Sequence, residues 1–168
     1  EESWLVWWGE IYGQTMVPEA GAWTDLDALL LSEFPTPNGS KLKVRAASID
    51  SSDGQTSDAV YTFVRKRKRR GLMAIKGSSV NDDSKEIFST PRASVDLNYK
   101  QKASKFGLRP FIVGTSRAKD LILGVDANAG RIKLQGKGPG RMHWYKEVRP
   151  DYFEQLVSEV KAPARNYR

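Results

Sequence analysis

The residues of this chain best placed to do chemistry are the carboxylate of Asp50, which closes a strand-like run, and the amine of Lys76, which nearly closes another. Between them, IDSSDGQTSDAVYTFVRKRKRR crosses a polar turn into a helical pattern that finishes in six cations, Arg65, Lys66, Arg67, Lys68, Arg69 and Arg70. Open α/β sheets gather their ligand sites beyond the carboxyl ends of strands. A carboxylate there is a hard oxygen ligand of the kind Mg²⁺ takes singly or in pairs while keeping several waters. The plainer reading makes Asp50, Ser51, Ser52 and Asp53 turn formers bonded to their own backbone, and on pattern alone it carries more weight. Lys76 would face the same site by the same argument, although a lone strand-end Lys is more often a surface residue. Six adjacent cations exceed what a helix dipole needs at its end, and they repel one another. The run therefore favours phosphate contact over a merely solvated helix end.

Other chemistries find no support. Zero Cys excludes disulfides, thiolate zinc sites and a thiol nucleophile. IKGSS (75–79) has its Lys before the Gly, so no GxxxxGK[ST] phosphate loop exists. DSSDG (50–54) lacks the ligand spacing of an EF-hand, and GKGPG (136–140) lacks the GxGxxG spacing of a dinucleotide site. The single histidine, His143, has no GxSxG elbow to serve.

A length of 168 residues suits one domain, and 39% hydrophobic residues with five Trp and six Phe suit a packed core. A net charge of +7 and a pI near 9.6 favour a polyanionic partner, nucleic acid or an anionic membrane. No apolar run reaches the roughly 20 residues that cross a bilayer, and no signal-peptide pattern opens the chain, so a cytoplasmic setting is expected.

The elements that must position these residues follow from periodicity. SWLVWWGEIYG (3–13) reads as a buried strand, and Trp4, Trp7, Trp8 and Trp23 read as core. Trp23, Leu26, Leu29, Leu30 and Phe34 follow helical spacing as far as Pro35. KLKVRAASI (41–49) alternates as one strand. Thr56 or Ser57 caps the next helix, which carries Ala59, Val60, Phe63 and Val64 and ends at Gly71. Strands are expected over 72–77 and 108–114, with a loop or hairpin over 78–107 between them. A helix follows from Thr115 or Ser116, then two short strands around the glycines of 128–144. Asp151 and Glu154 suggest a capping box for the last helix. The order is that of an α/β layered sheet.

Taken in order, EESWLV (1–6), GEIYG (9–13), WTDLDALL (23–30), AASIDSSDGQTSDAVYTFVRKR (46–67), AIKGSS (74–79), VDLNYK (95–100), FIVGTSRAKDLI (111–122), GPGRMHWY (138–145) and DYFEQLVSEV (151–160) cover nearly the whole chain. The ordered set resembles the nuclease half of the lambda-like (GpA-type) phage terminase large subunits. The resemblance implies an RNase H-like fold, a mixed central sheet with flanking helices, as a single nuclease domain over 1–168. It implies a metal-dependent endonuclease that cuts concatemeric double-stranded DNA during genome packaging, in the cytoplasm of the infected bacterial host. The implied cofactors are two Mg²⁺ or Mn²⁺ ions in an acidic cluster. The implied partners are DNA, a small terminase subunit and the procapsid portal, with no membrane.

Asp50 falls on the family's acidic position before the first long helix, so the resemblance implies a catalytic, metal-ligating role for it. Lys76 falls on the Lys of the IKG segment, near the scissile phosphate or ordering a carboxylate. His143 matches a His of the GPG…H segment, with a structural or DNA-proximal part. The family's first and last acids are expected outside these residues, and Ser116 stands where its GTD motif has an acid. Glu10, Asp96 and Asp120 are the other carboxylates near strand ends or helix starts. A non-catalytic DNA-binding or packaging-assembly module with a nuclease-like fold is the second reading.

Overall fold

The computed structural model describes residues 2–67, 71–79, 85–89, 108–123, 133 and 137–158. The chain divides into two compact units, Ile11–Arg131 and a second formed by Glu1–Glu10 with Ile132–Arg168. Both helices and strands are present, as the mixed α/β reading expects. None of the described helices is long and apolar enough to cross a membrane.

The larger unit is organised by helix α2 (Ser57–Arg67), which lies between strands β4 (Ala47–Asp50) and β5 (Leu72–Gly77) in sequence. Its Val60, Phe63 and Val64 recur at helical spacing and are buried with Ala59 and Tyr61. That face packs with Leu72 and Ala74 of β5 and with the half-buried Ala47 and Ile49 of β4. Helix α1 (Ala22–Leu30) adds Trp23, Leu26 and Leu30 to the same cluster. The Trp23 and Phe63 rings meet at 5.0 Å between centroids, and Trp23 Nε1–H donates to the Thr15 carbonyl at 2.9 Å.

The sheet runs β4-β5-β7-β6, where β7 is Phe111–Val113 and β6 is Phe88–Ser89. β4, β5 and β7 are parallel, and β6 is an antiparallel edge. Parallel strands need a crossover, which α2 supplies between β4 and β5. Gly71 makes the return into β5: its φ is +74°, and a Cβ there would stand 2.6 Å from the Arg45 carbonyl. Helix α3 (Thr115–Leu123) follows β7, with the Gly114 carbonyl accepting the Ala118 N–H.

Several boundaries differ from the sequence reading. Phe34 belongs to no helix: α1 stops at Leu30, and β2 (Glu33–Pro35) pairs with β3 (Lys41–Lys43), Phe34 opposite Leu42. The PTPNGS turn closes a hairpin, and that pairing overrides a helical spacing continued by coincidence. The expected strand over 41–49 is accordingly two, β3 and β4, with residues 44–46 belonging to neither. β5 matches the expected strand over 72–77, whereas most of 78–107 lies outside the described residues.

In the smaller unit, β1 (Ser3–Leu5) pairs in parallel with β8 (Met142–Trp144). Helix α4 (Pro150–Leu156) starts with Pro150 in its first turn and has no side-chain cap, so the expected box of Asp151 and Glu154 does not form. Proline supplies the start instead, because its missing N–H is one the first turn leaves unpaired anyway. Trp4 and Trp7 are exposed, at 61% and 44%, so only Trp23 of the expected tryptophans is fully buried. A two-stranded ladder has too little area to cover both of its faces.

Phe63 has no exposed surface. Phe63→Ala should lower the unfolding free energy by about 3–5 kcal/mol, and Phe63→Leu by much less, measured by urea denaturation.

Candidate functional site

The parallel direction of β4, β5 and β7 brings their carboxyl ends to one edge of the sheet. Asp50 is the last residue of β4 and is exposed there. Its Oδ1 accepts the Ser52 N–H at 2.9 Å and the Ser52 Oγ–H at 2.7 Å. The Ser52 Oγ in turn accepts the Gly77 N–H at 3.4 Å, tying the turn to the end of β5. Asp50 is thus a turn former on one oxygen, while Oδ2 accepts no hydrogen bond from the described residues. The neighbouring Ser51 turns the other way. It is buried, and both its N–H and its Oγ–H donate to the Ile75 carbonyl, at 2.8 and 2.9 Å.

Strand alternation separates the two expected catalytic groups. Asp50 is in register with Ile75, so Lys76 projects from the opposite face, the one α2 covers. Its Nζ lies 5.8 Å from the centroid of the Tyr61 ring of α2. Glu86, which the sequence left in a loop, stands at the same sheet edge, its carbonyl accepting the Gly114 N–H. Three strand spacings, about 14 Å between backbones, lie between it and Asp50. Asp96 falls outside the described residues, Asp120 lies within α3, and Glu10 of the smaller unit pairs with Arg149 at 3.5 Å. Among the described residues no group of three or more acidic or imidazole side chains is gathered. Ser116 sits in the first turn of α3.

The basic run begins at the other end of α2. Eleven helical residues span roughly 16 Å, so the cations Arg65, Lys66 and Arg67 occupy the opposite end of the crossover from Asp50. Arg65 and Lys66 are exposed; Lys68, Arg69 and Arg70 lie outside the described residues. Arg67 turns inward. Its Nε–H and Nη2–H donate to the two carboxylate oxygens of Asp27, at 2.8 and 3.0 Å. Its Nη1–H donates to Glu19 at 2.8 Å, and the guanidinium carbon lies 3.8 Å from the centroid of the Phe63 ring. Lys66 Nζ reaches Glu19 Oε2 at 3.5 Å. Hydrogen bonds from Arg67 hold the Glu19 carboxyl below its ordinary range; partial burial opposes them, and the charges of Arg67 and Lys66 assist. Neither Glu19 nor Asp27 carries a sequence signal for this role, because a partner some 40 residues away follows from no local spacing.

His143 belongs to the smaller unit. Its ring stacks on Trp4 at 5.0 Å and 9°, and its Nε2–H donates to Glu2 at 3.0 Å. Around Trp8, the Tyr145 hydroxyl bonds the backbone and the Arg149 guanidinium carbon lies 4.6 Å from the centroid of the indole.

The model of the family described as terminase large subunit gpA, endonuclease domain, matches residues 1–168, the whole chain. No curated protein and no solved structure matches it.

The Glu19–Arg67 pair predicts a pH dependence. A carboxyl whose folded pKa is lowered stabilises the fold fully above its ordinary value and loses that contribution as pH falls through the lowered one. The melting-temperature gap between the wild type and Glu19→Gln should therefore be widest near neutral pH. It should shrink as pH falls below about 4.

Proposed function

The chain belongs to the family of terminase large subunit gpA endonuclease domains, and from that premise we propose that it is a metal-dependent endonuclease. Its substrate is concatemeric double-stranded DNA, cut during viral genome packaging in the cytoplasm of the infected host. The small terminase subunit and the procapsid portal are its proposed partners in the packaging complex. An RNase H-like arrangement is proposed with it. Three parallel strands, an antiparallel edge and a helix covering one face support that assignment without being unique to it.

The observation that carries this reading is Asp50, exposed at the carboxyl edge of the parallel strands with Oδ2 accepting no hydrogen bond from the described residues. One such oxygen fits Mg²⁺ or Mn²⁺, whose remaining positions take waters and further oxygens. In a two-metal site the ions supply a water of lowered pKa and charge at the leaving oxygen. The role of the chain would be to hold the Asp50 carboxylate in place for such an ion. Ser52 fixes the Asp50 rotamer through two hydrogen bonds, and Ser51 anchors the turn to β5. Lys76, on the other face of the sheet, is proposed to neutralise phosphate passing the edge rather than to order Asp50. His143 is proposed to lie near DNA through its own unit.

Arg65 and Lys66, with Lys68, Arg69 and Arg70, are proposed as the DNA track, and Arg67 as the residue that anchors its helix end. Roughly 16 Å from the edge corresponds to about five base-pair steps along the duplex axis, so the track would grip DNA away from the scissile bond.

Asp50→Asn should lower Mn²⁺-dependent cleavage of duplex DNA by about a hundredfold or more, with duplex affinity retained. Full cleavage by that variant removes Asp50 from the site. DNA binding without cleavage by the wild type would favour the non-catalytic module. Neutralising Arg65 and Lys66 together should weaken binding and flatten the slope of log K against log salt, by about 0.9 for each phosphate the chain no longer neutralises.

A further inference from the structure

Glu19 is held in a backbone conformation that disfavours its residue type. It follows Pro18 in a turn with φ +68°, and it is the one residue other than Gly with positive φ among those described. A turn with Pro at its second position and positive φ at its third ordinarily takes Gly or Asn there. The chain places a Glu instead, and the side chain accounts for it. One carboxylate oxygen accepts Arg67 Nη1–H at 2.8 Å, and the other lies 3.4 Å from Nη2 and 3.5 Å from Lys66 Nζ. Two anionic oxygens received by a guanidinium and an ammonium reproduce what those cations offer a phosphate.

Asp27 already satisfies Arg67 through two hydrogen bonds, so the fold has a partner for that buried charge without Glu19. Lys66 differs: more than half of its side chain is exposed, and Glu19 is its ion-pair partner among the described residues. Here a strained turn presents a carboxylate to the second and third cations of a basic run.

We propose that Glu19 is a built-in competitor for DNA phosphate at the basic end of α2, an internal phosphate mimic that duplex DNA must displace from Lys66 and the outer edge of Arg67. The inference rests on the reading of Arg65, Lys66 and residues 68–70 as a DNA track. The competitor weakens nonspecific holding while leaving the cations available to DNA brought to them in register. Displacement frees the turn at 18–21 from the helix end while Asp27 keeps Arg67 seated.

The test is duplex binding by the 168-residue chain, followed by fluorescence anisotropy across a salt series with EDTA present to prevent cleavage. Glu19→Gln removes the charge; Glu19→Gly removes it and also suits the positive φ, so a loss of folding cannot mimic the result. Asp25→Asn, at an exposed acid of α1, controls for the same change in net charge. Both Glu19 variants should bind about three- to tenfold tighter than the Asp25 control, with a slope steeper by about 0.9, one further phosphate. Affinity and slope equal to the control overturn the proposal. If neutralising Arg65 and Lys66 weakens binding while the Glu19 variants leave it unchanged, the competitor alone is refuted. If neither change matters, the DNA track is refuted with it.

Discussion

The burial of one face of α2 against β4 and β5 is the constraint on which the larger unit depends. Phe63, Val60 and Val64 reach the sheet only if the helix runs back across it, from the carboxyl edge to the amino edge. The start of the helix then lies beside Asp50 and its cations lie a helix length away. Strand alternation completes the placement. Ile49 and Ser51 face the helix, so Asp50 between them must face outward. The exposure of the candidate ligand is thus a by-product of how its neighbours pack.

Arg67 links that packing to the rest of the unit. A guanidinium with 12% of its side chain exposed has to be paired, and it collects a carboxylate from α1 and another from the turn that holds Glu19. The Phe63 ring beneath it joins the charge network to the apolar core. Glu33 offers a contrast, since its bridges to Lys41 and Lys43 lie on the exposed β2–β3 hairpin, where screening leaves ion pairs little effect on stability. Similar distances therefore do different things. The Arg67 pairs add charge contacts between segments already packed through Trp23 and Phe63, and the Glu33 pairs decorate a hairpin closed by its own backbone.

The smaller unit is built mainly from aromatic contacts. Trp144 meets Phe153 of α4, Trp8 meets Tyr152, and Trp4 stacks on His143. With only two strands and one short helix described, it leaves much of its largest rings exposed, as Trp4 shows. His143 is oriented by Trp4 and Glu2 in a setting unlike that of Asp50, which joins an edge of parallel strands.

Residue order by itself determined the elements whose pattern agrees with their burial. β5 and α2 were legible because their apolar periods match the faces they bury, and Gly71 because only a residue tolerant of positive φ can turn there. Asp50 at a strand end and the cations of α2 were legible for the same reason. The sheet partners of β1 and β2, the inward turn of Arg67, and the roles of Glu19 and Asp27 were not. Each depends on a contact between segments far apart in the chain, which no local period encodes. Phe34 shows the limit, since its helical spacing was real but a hairpin partner outweighed it. The sequence could nominate Asp50, Lys76 and the basic run together. Tertiary structure alone set Lys76 on the other face and the cations at the other end, because pleat and crossover, not nearness in the chain, decide where side chains meet.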